Sequence, residues 1–317
     1  MSIITLPAQV IASDLGFIEG PLIHHGAVLL CDLHGGLIRK VADGQQSVLC
    51  ETGGAPNGLA IGPDGQLYVA NNGGAMRWEK DGDRLISKGF KQEGYDARIE
   101  RIDMATGDAS RIVNMIDGRR FEAIDDLVFD GDGGFWFTDL GRDGERNRTY
   151  GGIYWTSLDG SEVIEAAFPI VNGANGIGLS HDGRTLYATE YGAGRLWAWS
   201  VEGPGQLRKL EGQAHGGRLL WQAPGAQLLD SLKVAPSGNI VIATQPTGLF
   251  SVISPEGRYL GAVEVPDSDP TNLCFDPADP SIVYATLGTT GRLMKIHWDE
   301  ARLGGACDPS MLTGDSQ

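Results

Sequence analysis

The chain has 317 residues, 41 acidic against 25 basic, for a formal charge of −16. That balance argues against a nucleic-acid partner, whose phosphates need Lys and Arg, and it suits solubility and the attraction of cations. The length is enough for a large core, and one all-β domain over 1–317 is the expectation, since 47 glycines with 8% aromatics fit many short strands and turns.

Met1 to Pro7 lacks the basic and apolar segments of a secretory signal, and no apolar run nears the roughly 20 residues of a membrane helix. Cys31, Cys50, Cys274 and Cys307 show no CxxC spacing, so neither a zinc ribbon nor a redox pair is indicated. Cys31 and Cys274 read as buried thiols, and the expected location is cytoplasmic. Val10-Ile11 reads as a short strand that pairs with the end of the chain, near Leu293 to Trp298, so that both ends share one sheet.

A repeat then begins. Glu19 opens the first unit, with a turn at His24-His25-Gly26 and the run Leu29-Leu30; the two histidines are expected to point apart, into solvent. Asn57 opens the second, with Gly65 eight residues on and then Tyr68-Val69. This unit carries the longest insertion, Ala75 to Ile99, which reads either as a lid or binding loop or as an outer hairpin. Asp125 opens the third, followed by Gly133 and Phe135-Trp136-Phe137. Its polar loop Arg142 to Thr149 reads as a solvated linker or as an arginine anchor for an anion. Asn175 leads to His181-Asp182-Gly183 and Leu186-Tyr187, Asp230 to Gly238 and Ile240-Val241-Ile242, and Asn272 to Pro280 and Ile282-Val283-Tyr284. Asp-Gly turns of this kind close hairpins. Four-stranded blades repeat at roughly 40–50 residues, with variable spacing absorbed in loops. Six units therefore imply a six-bladed β-propeller. The polar tail from Gly304 to Gln317 is expected to be loosely held.

The first strand of each blade lines the central channel of a propeller. Glu19, Asn57, Asp125, Asn175, Asp230 and Asn272 should thus form a ring at one mouth. Asn and Asp before Gly also serve simply as turn residues, but no turn rule demands Glu19. Three crowded carboxylates repel unless a cation sits among them, and hard divalent cations take carboxylate and amide oxygens. No G-x-S-x-G elbow, HExxH, P-loop or G-x-G-x-x-G is present, so a serine hydrolase of that type, a nucleotide and an organic cofactor are not indicated.

Glu19-Gly20-Pro21, Pro56-Asn57-Gly58-Leu59, Asp125-Asp126-Leu127-Val128, Ala174-Asn175-Gly176-Ile177 and Asp230-Ser231-Leu232 resemble, in order, the motif series of the regucalcin/gluconolactonase family. The likeness runs from about Gly16 to Trp298. It implies a six-bladed propeller with one catalytic divalent metal at the channel mouth, held by Glu19, Asn175 and Asp230. Asp125 stands where the family usually has an Asn that contacts metal or substrate, and it joins the candidate ligands. The implied activity is metal-dependent hydrolysis of a sugar-derived or other small lactone. Asp125 is the expected general base, with Asp230 second; Asn57, Glu122 and Asn272 are expected to contact substrate. An all-oxygen donor set points first to calcium, with zinc, manganese or magnesium as alternatives.

The sequence also departs from the family. Arg120-Phe121-Glu122-Ala123-Ile124 stands where bacterial sugar lactonases often have Arg-Leu-Asn-Ser-Pro, so Glu122 and Ala123 remove two hydrogen-bonding partners expected for a sugar lactone. Asp230 is followed by Ser231, where Gly is usual. Phosphoester hydrolysis, as in a branch resembling diisopropyl fluorophosphatase, a lyase or isomerase step using Asp125 as base, and a non-catalytic metal-binding propeller are the alternatives.

Overall fold

The computed structural model describes residues 2–303, so Cys307 and the tail from Gly304 lie outside the described residues. Six sheets of four main antiparallel strands follow one another along the chain. Blade one is Ile18–His24, Ala27–Asp32, Leu37–Ala42 and Gln45–Glu51. Blade two is Pro56–Ile61, Leu67–Asn71, Arg98–Ile102 and Ala109–Val113. Blade three is Ile124–Phe129, Gly134–Asp143, Arg148–Ser157 and Val163–Ile170. Blade four is Ala174–Leu179, Thr185–Glu190, Arg195–Gly203 and Arg218–Gln222. Blade five is Leu228–Val234, Ile240–Gln245, Leu249–Ile253 and Tyr259–Glu264. Blade six is Pro270–Phe275, Ile282–Leu287 and Arg292–His297, completed by Ala8–Ala12 from the start of the chain. Ala8 faces Ile296 and Val10 faces Met294, so the early strand closes the ring as its sequence position implied.

The apolar runs of the sequence are the second strands, each packed on both faces. The core is accordingly divided into wedges between consecutive blades. Leu29, Cys31 and Ile38 of blade one meet Leu59, Leu67 and Val69 of blade two; Tyr68 and Ala70 of blade two meet Phe135 and Phe137 of blade three. The last wedge joins Leu293 of blade six to Ile18, Val28 and Leu30 of blade one.

One local irregularity recurs and positions the site. In every inner strand the pairing register shifts at or beside the anchor: between Glu19 and Leu22, Pro56 and Leu59, Ile124 and Leu127, Ala174 and Ile177, Leu229 and Leu232, and Pro270 and Asn272. Such bulges unpair a residue and re-aim its side chain. Neighbouring inner strands also approach closely there. A Cβ on Gly58 would lie 2.7 Å from the Asp126 Cα, and one on Gly176 would lie 2.4 Å from the Leu232 nitrogen. Threonines tie the blades at the same level. The buried Thr189 hydroxyl accepts from the Gly176 N–H and donates to the Asp230 carbonyl of the next blade, both at 2.8 Å. Thr138 likewise donates to the Asn175 carbonyl.

The insertion of blade two is a hairpin, Met76–Asp81 with Arg84–Phe90. It reaches blade six: the Leu85 N–H donates to the Thr289 carbonyl (2.9 Å) and Arg84 to the Ser268 hydroxyl (2.7 Å). The polar segment of blade three is not a free linker, because Asp143 pairs with Arg148 across a tight turn. His24 and His25 do not diverge. Their rings stand edge to face with centroids 4.1 Å apart, because His25 takes a positive φ of 47° in the turn.

Thr189→Val keeps the side-chain shape and leaves a buried N–H and a buried carbonyl short of a partner. It should cost about 1–3 kcal/mol of stability, read as a lower midpoint in denaturant unfolding with an unchanged slope.

Candidate active site

All six anchors lie on inner strands, and five of them line one cavity of about 480 Å³: Glu19, Asn57, Asp125, Asn175 and Asp230. Asn272 is buried behind Glu19 instead. Its amide donates to Glu19 Oε2 (2.9 Å) and its side-chain carbonyl oxygen accepts from the Leu273 N–H (2.8 Å). Glu122 is not among the lining residues either. The Tyr95 hydroxyl (2.7 Å) and Arg142 Nε (2.8 Å) both donate to Glu122 Oε2.

The ring is held from behind. Ser231 donates to Glu19 Oε1 at 2.7 Å, so the hydroxyl that stands where Gly is usual anchors a carboxylate of the ring. Gln245 Nε2 donates to Asp230 Oδ2 (2.6 Å), and the Tyr191 hydroxyl donates to Gln245 Oε1 (3.1 Å). Asn57 Nδ2 donates to Asp125 Oδ2 (2.9 Å). Three buried oxygens of the ring have no hydrogen-bond partner: Asn57 Oδ1, Asp125 Oδ1 and Asn175 Oδ1. A buried acceptor without a donor is costly.

The electrostatics point the same way. Burial, then Asp230 and Glu19, hold the Asp125 carboxyl well above the usual carboxylate range. Burial and Glu19 do the same to Asp230, against hydrogen bonding from Asn175. Glu19 is pushed up to about 7 by burial and by Asp126, while Ser231, Asn272 and Lys233 pull it down. Lys233 Nζ stands 3.5 Å from Asp126 Oδ2 and offsets part of this charge. Three raised carboxyls among three orphaned acceptors suit a divalent cation, whose charge and coordination would answer both deficits. No group of three or more His, Cys, Asp or Glu side chains is close enough to bind a metal among the described residues, so any such site here needs the Asn oxygens as well.

Repeat arithmetic on the first strands did not reach Tyr191, Gln245, Asn172 and Arg148, which complete the polar wall. One signal was available. The second-strand residues that pair with the first residue of each inner strand are Asp32, Asn71, Asp139, Glu190, Gln245 and Leu287. Five of these six positions carry a buried polar side chain.

A family model described as the SMP-30/gluconolactonase/LRE-like region matches residues 17–289. The chain belongs to that family. A gluconolactonase of Zymomonas mobilis is 26% identical over 299 residues, which span 86% of this chain and 76% of that protein. Two solved structures share the fold with this family member. A gluconolactonase from Xanthomonas campestris superposes with a TM-score of 0.72 at 23% identity, covering 92% of this chain and 89% of that one. A calcium-binding regucalcin from Agrobacterium tumefaciens gives 0.72 at 16% identity, covering 93% and 95%.

Glu19 holds a proton more readily in the folded chain than in the unfolded one, where the ordinary value of 4.5 applies. Stability contributed by that proton is present below pH 4.5 and is lost as pH rises through about 7. With chelator present, the unfolding midpoint of the protein should therefore fall more steeply over this window than that of Glu19→Gln. Parallel profiles would show that Glu19 titrates normally.

Proposed function

We propose that the protein is a divalent-metal-dependent hydrolase that opens a small lactone to its hydroxy acid. The observation that carries this reading is the set of unpartnered oxygens on Asn57, Asp125 and Asn175 beside the raised carboxyls of Glu19, Asp125 and Asp230, at the floor of a cavity. Family membership supplies the reaction class. Glu19, Asn175, Asp230 and Asp125 are the proposed ligands. Calcium is the first choice because every donor is a hard oxygen, and a calcium-binding regucalcin shares the fold. When bound, the cation supplies Lewis acidity toward the lactone carbonyl oxygen.

The chain's own residues carry the proton. Asn57 fixes Asp125 Oδ2, while Oδ1 of this cavity-lining residue is buried with no partner. From there Asp125 takes a proton from the attacking water as its oxygen bonds to the carbonyl carbon. The ring carbon–oxygen bond then breaks, and the leaving oxygen takes a proton to become the hydroxyl of the product. Asp230, fixed by Gln245, is the second candidate for the base. Ser231 and Asn272 each donate to one oxygen of Glu19 and so fix its orientation. We place the protein in a reducing compartment, as a cytoplasmic enzyme, because Cys31, Cys50 and Cys274 are buried free thiols.

Product analysis by mass should show the gain of one water. Chelator should abolish the activity and added calcium restore it. Glu19→Gln should weaken calcium binding in a calorimetric titration. Asp125→Asn should keep calcium binding and lower kcat by roughly a hundredfold. A rate retained in Asp125→Asn moves the base to Asp230 or to a water; a product of unchanged mass rules out hydrolysis.

A further inference from the structure

We infer that the substrate of this site is a neutral lactone with an apolar arm, and not a polyhydroxylated or anionic one; this rests on the lactone reading above. Above the polar floor, the cavity wall is built from Phe17, Leu33, Met76, Ile86, Phe90 and Leu140. Met76, Ile86 and Phe90 come from the hairpin inserted in blade two, and Phe17 from the chain just before blade one. Phe17, Met76, Ile86 and Phe90 are only half-buried, so they keep carbon surface available to an occupant. An apolar group placed there leaves water at a gain, whereas hydroxyls placed there lose their hydrogen bonds.

The lining hydroxyl and amide donors that a polyol needs are engaged, and the acceptors left unpartnered, Asn57 Oδ1, Asp125 Oδ1 and Asn175 Oδ1, belong to the ring proposed for the cation. Asn172 donates to Glu190 (3.0 Å), Tyr191 to Gln245 (3.1 Å) and Thr289 to Asp267 (2.7 Å). Of the lining hydroxyls that leaves Ser87, which is exposed on the hairpin. Charge excludes an anion. The lining carries Asp143 and Asp269 besides the three carboxylates of the ring, against Arg148. The two terminal nitrogens of Arg148 are engaged, by Asp143 and by the Leu140 carbonyl (2.7 Å), and only its buried Nε has no partner.

The test compares δ-decalactone with glucono-δ-lactone by kcat/KM in the presence of calcium. In parallel, calorimetry compares the binding of two lactams that cannot be hydrolysed as readily, a pentyl-substituted δ-valerolactam and gluconolactam. The apolar member of each pair should win by about tenfold or more, since a few buried methylenes are worth that much. Ile86→Ser and Phe90→Ser should each shrink both ratios. Ratios near one, or reversed, overturn the inference, and so do ratios unmoved by both substitutions. If neither lactone turns over, the hydrolase reading fails, and the lactam ratio alone decides whether the cavity selects an apolar arm.

Discussion

Three carboxylates buried at one end of a channel repel one another, and the chain that places them there has to hold them against that repulsion. Here the restraint is the ring itself. Six inner strands bulge at the same level, and adjacent strands come so close at Gly58 and Gly176 that a side chain has no room. Buried threonine hydroxyls then join one blade to the next at Asn175 and Asp230. Donors behind the ring complete the restraint, with Ser231 and Asn272 on Glu19, Gln245 on Asp230 and Asn57 on Asp125. Each of these partners fixes one carboxylate oxygen without adding positive charge. The site therefore keeps a deficit that only a cation or protons can meet.

The deficit was legible in the sequence because it is periodic. A bulge at the same register in every blade leaves a trace: an oxygen-bearing anchor, often a Gly next to it, and a turn about eight residues on. The closure by Val10 was legible for a similar reason, since a propeller of six units leaves one strand position to be filled by the other end of the chain. Two residues expected to contact substrate are not among those lining the cavity. Asn272 has the right register, but its amide is committed to Glu19. Glu122 precedes the bulge and is drawn away by Tyr95, from the stretch after the inserted hairpin, and by Arg142, near the end of the second strand of blade three.

What the sequence could not convey is made of contacts between insertions. The hairpin of blade two reaches blade six through Leu85 and Arg84, across roughly two hundred residues of chain, and no periodicity encodes such a meeting. Gln245 and Tyr191 are a case outside the insertions: they stand at and just after the ends of the second strands of two different blades, and only the fold brings the hydroxyl to the amide. His24 and His25 show the same limit at short range, where a positive φ at one residue turned two rings toward each other.

These two kinds of contact also divide the labour of the site. The floor is built by the repeat, so a change there disturbs the bulge, the inter-blade hydrogen bonds and the charge balance together. The wall is built by Met76, Ile86 and Phe90 on a two-stranded hairpin whose own strand pairing is separate from the six blades. Substitutions in that hairpin can reshape the cavity without touching the oxygens of the floor. The fold thus separates the floor, which the repeat holds, from the wall, which the hairpin supplies, and in this chain that wall presents carbon.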